Sequence, residues 1–322
     1  MPKISIITTA YKHEKFIAQT IDSILNQSFS DWELLIGDDS PDNATWQIIE
    51  QYTKKYPDKI RAWHHSPNKG IVDNMNFLIK HIAPETHYVS FLEGDDMYTP
   101  DNLEKKMSVF EKFPNIACVY SDLSFINSQN EVILESFFRK RGVKIIQNEQ
   151  LSPDEYLRFQ AGPIASYSTG MIRRDILKTV SITSLILDDK TYSVSDYDFY
   201  FQVATNFSIY GIEESLTLYR RHSGNLSAQN IKLFSDLDYL IDSYYRKANI
   251  YSTTYYQKKS FICLLLSVAY LDRDKKIFSY KLWKDSWDFS VWNFLFYKTA
   301  ILFLLLSPSN LRKKILNRQI IR

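Results

Sequence analysis

Two short runs of acidic residues stand out in this 322-residue chain: Asp38-Asp39 followed by Ser40, and Glu93-Gly94-Asp95-Asp96. Carboxylates crowded at one place repel each other unless a cation or hydrogen-bond donors compensate. Mg²⁺ or Mn²⁺ with oxygen ligands meets that need. Such an ion commonly serves a diphosphate, neutralising the charge that builds on a leaving group. Neither a G-x-G-x-x-G nor a G-x-x-x-x-G-K-[ST] loop occurs, and Thr8-Thr9-Ala10-Tyr11-Lys12-His13 contains no glycine. A nucleotide bound here is therefore expected to be held by base and ribose contacts and through metal-bound phosphates. No Ser/His/Asp or Cys/His nucleophile set is evident.

Both acidic runs follow segments that read as buried strands. Ile4–Thr8, Trp32–Ile36, Ile60–His64 and Tyr88–Leu92 are short apolar runs, separated by stretches with helical periodicity. Ile17, Ile21, Ile24 and Leu25 form one apolar helical stripe, and Ile71, Met75, Leu78, Ile79 and Ile82 form another. Asp42 or Asn43 can cap a helix that runs to about Tyr56 and is stopped by Pro57. Thr99-Pro100 supplies an N-cap and first-turn proline for a helix over about 101–113. This alternation predicts an α/β fold with a mainly parallel sheet, whose ligands sit beyond the carboxyl ends of the strands. Residues 116–230 read as mixed, with strands near Ala117–Ser121 and Leu216–Arg220. From about Ile231 the pattern becomes helical and aromatic.

Composition narrows the function. The formal charge of +2 gives no basic excess for a nucleic-acid partner. Hydrophobic residues at 45% and charged residues at 24% suit an ordinary globular chain rather than a disordered one. Two cysteines, Cys118 and Cys263, exclude a disulfide framework and favour a reducing compartment. The beginning of the sequence carries no signal-peptide pattern, so a cytoplasmic location is expected.

Five motifs in a fixed order resemble the inverting, nucleotide-sugar-dependent glycosyltransferases of family 2, which have the GT-A fold. They are ISIITTAYKHEKFIAQTIDSILNQSFSDWELLIGDDS, FLEGDDMYTPDNL, YSTGMIRRDIL, SDYDFYFQVA and LYRRHSGNLS, with Asn68-Lys69-Gly70 and Asn76 between the first two. The resemblance covers about residues 3–230. It implies a catalytic domain over 1–230, with 1–115 as the nucleotide-sugar half and 116–230 as the acceptor half, and a helical region over 231–322. It implies that Thr8, Ala10 and Tyr11 line the nucleobase pocket, with Glu14 a weaker candidate, and that Asp39 accepts a hydrogen bond from the base. Glu93 and Asp95 take the acidic places of the D-x-D motif, with Asp95 the metal ligand and Asp96 an orienting neighbour. A glutamate stands at 93 where relatives more often have aspartate. Asp196 falls at the general base, with Asp198 the alternative if the register slips. Arg220 and His222 fall where relatives meet the diphosphate, and His222 the metal. The implied cofactor is Mn²⁺ or Mg²⁺, the donor a UDP-sugar, and the acceptor a saccharide or lipid-linked saccharide in cell-surface polysaccharide synthesis. No Q-x-x-R-W string occurs, which favours addition of a single sugar.

Other residues carry lesser expectations. His13, His64 and His65 show no carboxylate partner at metal spacing and read as surface or loop residues. Among 22 tyrosines and 20 phenylalanines, only Tyr167 and Tyr197 lie close enough to acceptor motifs to suggest sugar stacking. Asp188-Asp189 reads as a loop over the acceptor site. The run 289–306 carries one charge, Lys298, and is followed by a basic tail with Arg312, Lys313, Lys314, Arg318 and Arg322. That pattern suggests an interfacial helix touching an anionic membrane, on the inner face of the plasma membrane. Two rival classes remain: a sugar nucleotidyltransferase and a non-catalytic sugar-binding scaffold.

Overall fold

Ile4–Ala10 is buried along its whole length, as a strand covered on both faces must be. The computed structural model describes residues 3–159, 162–182, 186–187, 190–191, 194–225, 230–248, 253–272, 276–289, 298, 301–302 and 305. Ile4–Ala10 is β1, followed by α1 (Ile17–Leu25), β2 (Trp32–Asp38), α2 (Ala44–Lys55), β3 (Ile60–His64), α3 (Ile71–Ile79) and β4 (Tyr88–Phe91). These four strands pair in parallel in the order β3-β2-β1-β4. All four therefore point their carboxyl ends the same way, and both acidic runs emerge at one edge.

The second half of the sheet is mixed. It comprises β5 (Met97–Tyr98), α4 (Asn102–Lys112), β6 (Cys118–Ile126), β7 (Val132–Leu134), α5 (Phe137–Lys140), β8 (Gln147–Glu149), α6 (Pro153–Arg158) and β9 (Gly170–Arg173). A short hairpin of β10 (Ile186–Leu187) and β11 (Lys190–Thr191) follows, then α7 (Ser195–Asn206) and β12 (Ile209–Arg220). The sheet continues β4-β9-β6-β12-β5, with β9 antiparallel to both β4 and β6, and β12 parallel to β6. The expected parallel character thus holds for the first four strands. Beyond them, the four-residue β9 enters in the opposite sense and joins the halves.

Packing follows the stripes. Ile17, Ile21 and Ile24 of α1 are buried against Ile6 and Leu34 of the sheet and Leu103 and Met107 of α4. Each such side chain contributes roughly 1.5–3 kcal/mol on burial. Glu33, a charge inside a buried strand, is satisfied by Ser5, by Arg61 at 2.6 Å and by the amide of Ala83 at 2.7 Å. The start of α4 differs from the sequence expectation. Asp101 is its N-cap, while Thr99 lies outside the helix and donates to the Asp101 carboxylate at 2.9 Å. Asn43 caps α2 without a side-chain bond; Asp42 accepts from the Ala44 amide at 3.0 Å instead.

The chain divides into two compact units, Met1–Thr191 with Ser195–Ser223, and Tyr192–Val194 with Gly224–Arg322. The second holds α8 (Asn230–Ala248), α9 (Thr253–Asp272) and α10 (Lys276–Phe289). Serines let α9 and α10 approach: Ser267 bonds Ser279, and Ser260 donates to the Ser286 carbonyl. The described part of the run 289–306 packs within this unit. Lys298 is buried and donates to the Ser286 carbonyl at 3.1 Å, while Ile301 and Leu305 join Leu264. Among the described residues no helix is long and apolar enough to cross a membrane. The basic tail and Asp188-Asp189 lie outside the described residues.

Candidate active site

The turn after β4 carries Glu93 to Asp96, and three elements grip it. From α1, the Thr20 hydroxyl lies 2.8 Å from the Asp96 carbonyl and 3.1 Å from that of Gly94. Before β9, the Ser168 hydroxyl donates to Asp96 Oδ2 at 2.6 Å and accepts from the Glu93 amide at 3.1 Å. At the end of β12, the Arg220 amide donates to Asp96 Oδ1 at 2.9 Å. Both oxygens of Asp96 are therefore engaged, which makes this residue an organiser of the turn. Gly94 is required by closeness: a Cβ there would stand 2.7 Å from His13 Nδ1 and 2.9 Å from the Thr9 carbonyl.

Arg220 is 0% exposed. Its Nε donates to the Asp95 carbonyl at 2.7 Å. Its terminal nitrogens meet the Asn127 carbonyl, the Asn130 side chain, Gln19 and Met97 Sδ. Its guanidinium also stacks over Phe16. With its donors so occupied, it pins the acidic turn from beneath; the diphosphate contact expected of it has no free N–H in this arrangement.

Asp95 is the carboxylate of the turn that meets two imidazoles. Its Oδ2 lies 2.9 Å from His222 Nε2 and 3.8 Å from His13 Nε2. Burial pushes this carboxyl up, but the His222 hydrogen bond and the charges of His13 and His222 outweigh it and hold Asp95 below its usual range. Glu93 and Asp96 move the other way. Burial raises Glu93 well above the usual range, reinforced by the charges of Asp96, Asp95 and Asp196; burial and Asp95 do the same for Asp96.

The other acidic run separates into two roles. Asp38 is completely buried, accepting from Ser40 at 2.6 Å and meeting His64 Nδ1 at 2.9 Å. Asp39 accepts from the Lys69 amide at 3.2 Å, at the loop where Gly70 adopts φ +79° to start α3. Burial raises the Asp39 carboxyl, against the pull of the Lys69 and Gly70 amides. Nearby, Ser40 accepts from the Lys12 amide at 2.8 Å, tying the loop after β1 to the loop after β2. Thr8 and Ala10 are buried, and the Thr8 hydroxyl has no partner among the described residues. Tyr11 is 47% exposed and Glu14 is exposed, so both lie at the outer lip of the loop.

Asp196 occupies the first turn of α7. Its Oδ1 accepts from the Tyr197 amide at 2.8 Å, and burial pushes its carboxyl up to about 6. Its charge bears on Glu93, which places it by the acidic turn. Asp198 is more deeply buried and accepts from Gln202 at 3.0 Å. The structure brings Asp95, His222, Glu93 and Asp196 into one neighbourhood, and the charge of Asp38 reaching His13 joins the Asp39 side to it.

Several sequence expectations are corrected here. His13 and His65 lie in loops as expected, but His13 sits beside Asp95, His64 is paired with Asp38, and His65 is buried and bonded to Asn74 at 3.2 Å. The signal for His13 was its place just past β1, which neighbours β4 in a parallel sheet. Tyr167 and Tyr197 are core residues: Tyr167 packs on Phe91 and Phe199, and Tyr197 edge-on to Tyr156, so neither ring offers a stacking face.

Asp95 and His222 present one hard oxygen and one imidazole nitrogen, a donor pair that fits Mn²⁺ or Mg²⁺ sharing the rest of its shell with substrate phosphates and water. Among the described residues no three His, Cys, Asp or Glu side chains form a complete metal cage.

Known proteins similar to this chain include EpsE of Bacillus subtilis (strain 168), a glycosyltransferase by name. It is 25% identical over 277 residues, covering 85% of this chain and 94% of its own. S. aureus TarS 1-349 in complex with UDP-GlcNAc superposes with a TM-score of 0.54 at 16% identity, covering 84% of this chain and 72% of its own. The mannosyltransferase PcManGT from Pyrobaculum calidifontis, in complex with GDP-Man and Mn²⁺, gives a TM-score of 0.57 at 13% identity over 99% of this chain and 85% of its own. These likenesses identify the fold as GT-A. The family model described as glycosyl transferase family 2 matches residues 5–181, more than half of the sequence. The chain belongs to glycosyl transferase family 2, and it is a glycosyltransferase.

Proposed function

We propose that this glycosyltransferase moves one sugar from a UDP-linked donor to a hydroxyl of a saccharide or lipid-linked saccharide, with inversion, in cell-surface polysaccharide synthesis. The observation that carries this reading is Asp196: a partly open carboxylate at a helix start, raised to about 6, beside the turn that bears Asp95. The capture of UDP-GlcNAc by TarS supports the choice of UDP. The first half of the catalytic unit would hold the donor and the second half the acceptor. The basic tail, by its sequence, would add peripheral contact with a membrane on its cytoplasmic face.

The parts act as follows. Asp39 accepts a hydrogen bond from the nucleobase, most simply a uracil N–H, and the unpartnered Thr8 hydroxyl offers a further bond to the nucleoside. Thr8, Ala10 and Tyr11 wall this pocket. Asp95 and His222 would hold the divalent ion. That ion, when bound, neutralises charge on the departing diphosphate. Asp196 accepts the proton of the acceptor hydroxyl as its oxygen attacks the anomeric carbon; the carbon–phosphate-oxygen bond breaks and its electron pair leaves with UDP. General-base help of this kind contributes typically about 10²–10⁴-fold. Arg220, Thr20 and Ser168 keep the acidic turn in place and touch no substrate.

A donor screen reading nucleoside diphosphate release, with saccharide and lipid-linked acceptors, tests the reading. Acceptor-dependent UDP release supports it. Pyrophosphate release, or sugar binding without turnover, would contradict this reading of donor and acceptor.

A further inference from the structure

At the sheet edge opposite the acidic turn, where β1 and β4 begin and β9 ends, the surface folds into a cavity of about 830 Å³. Its lining brings five permanent cations together, Lys3, Lys80, Arg173, Arg174 and Lys178, against one carboxylate, Asp175. The arginines are fixed in place. Arg174 donates to the carbonyls of Ala83, Pro84 and Thr86 at 2.9, 2.6 and 3.3 Å. Arg173 donates to the Pro114 carbonyl at 2.8 Å and pairs with Asp175 at 2.8 Å. Lys3 pairs with Glu111 at 3.2 Å. Arg174, Lys80 and Lys178 have no carboxylate partner among the described residues. Beneath these charges lies an apolar floor that includes Ile79, Ile82, Tyr88 and Phe110.

Uncompensated cations around one concavity repel each other and draw in an anion. The volume falls in the range of pockets that hold whole small molecules, roughly 300–1,000 Å³, and exceeds what a lone phosphate fills. The apolar floor calls for an apolar portion beside the anion. We infer that this cavity binds the phosphate-bearing headgroup of an anionic lipid. The phosphate meets Lys80, Lys178 and Arg174, and the glycerol and first methylenes lie on the floor. The donor-binding residues stand at the other ends of the same strands, roughly 20 Å away along β1. Occupancy here leaves the donor site open, and the inference does not depend on the proposed reaction.

The test uses the full chain and dihexanoyl phosphatidylglycerol below its micelle concentration, with dihexanoyl phosphatidylcholine and glycerol phosphate as comparison ligands, each titrated calorimetrically. Lys80 and Lys178 are exposed and make no ion pair, so Lys80→Gln/Lys178→Gln is expected to fold, as thermal melting would check. Phosphatidylglycerol is expected to bind more tightly than either comparison ligand. The double variant should weaken it on the order of 30-fold while UDP binding is unchanged. No binding of phosphatidylglycerol, or equal binding by wild type and double variant, would overturn the inference. Glycerol phosphate binding as tightly as phosphatidylglycerol would remove the lipid as the source of the phosphate.

Discussion

Replacing Asp196 with asparagine should raise stability and abolish transfer at the same time. The side chain keeps an oxygen for the Tyr197 amide, so the start of α7 is preserved. Burial lifts the Asp196 carboxyl from 3.8 to about 6. Each pKa unit is about 1.4 kcal/mol, so holding this group ionised in the fold costs roughly 3 kcal/mol relative to the unfolded chain. Partial solvent exposure reduces that to about 1–3 kcal/mol. The sign follows from the raised folded value: the folded state binds this proton more tightly than the unfolded one. Stability of the wild type therefore falls, relative to Asp196→Asn, as pH rises from about 4 to 6, and the gap is constant above. Denaturant unfolding of both proteins between pH 4 and 8 reads this directly. Meanwhile kcat should fall by about 10²–10⁴-fold, with donor binding retained. In the wild type, kcat/KM should rise with pH through about 6 as Asp196 loses its proton. An Asp196→Asn protein that is less stable, or whose stability difference ignores pH, would refute the argument that burial raises this carboxyl. Retained turnover would remove Asp196 from the mechanism.

Other consequences are equally concrete. Arg220→Lys keeps a charge but leaves several carbonyls beneath the acidic turn unbonded, so unfolding free energy should drop by about 3 kcal/mol or more in chemical denaturation. An unchanged midpoint would mean that the network is dispensable. Gly94→Ala puts a methyl against His13 and the Thr9 carbonyl, and should destabilise by about 1–3 kcal/mol and reduce turnover. Asp39→Ala should weaken UDP binding about tenfold or more in titration while kcat changes little, since the contact is to the base and not to the reacting carbon.

How much of this was legible beforehand differs from residue to residue. β1, β2 and β4 announced themselves because strands buried on both faces are nearly continuous apolar runs. β5, with two residues, and β9, with four, are too short for any periodicity, and β9 is what makes the second half of the sheet mixed. The acidic runs were visible, but the division within each was not. Asp38 and Asp39 are adjacent in sequence, yet one is consumed by His64 and Ser40 and the other meets the loop before α3. Arg220 was expected at the diphosphate from its place in the LYRRHSGNLS motif; its burial depends on Gln19, Asn127 and Asn130, which are remote in sequence. His13 was passed over because its carboxylate neighbour, Asp95, comes from another strand end.

Calorimetric titration of UDP into the wild type and Asp95→Asn, with Mn²⁺ and again with chelator, tests most directly whether a divalent ion joins Asp95 to the donor. UDP should bind the wild type at least about tenfold more tightly with Mn²⁺, and that gain should vanish in Asp95→Asn. Equal UDP affinity with and without metal in the wild type would contradict the assignment of Asp95 and His222 as the place where a divalent ion meets the donor diphosphate.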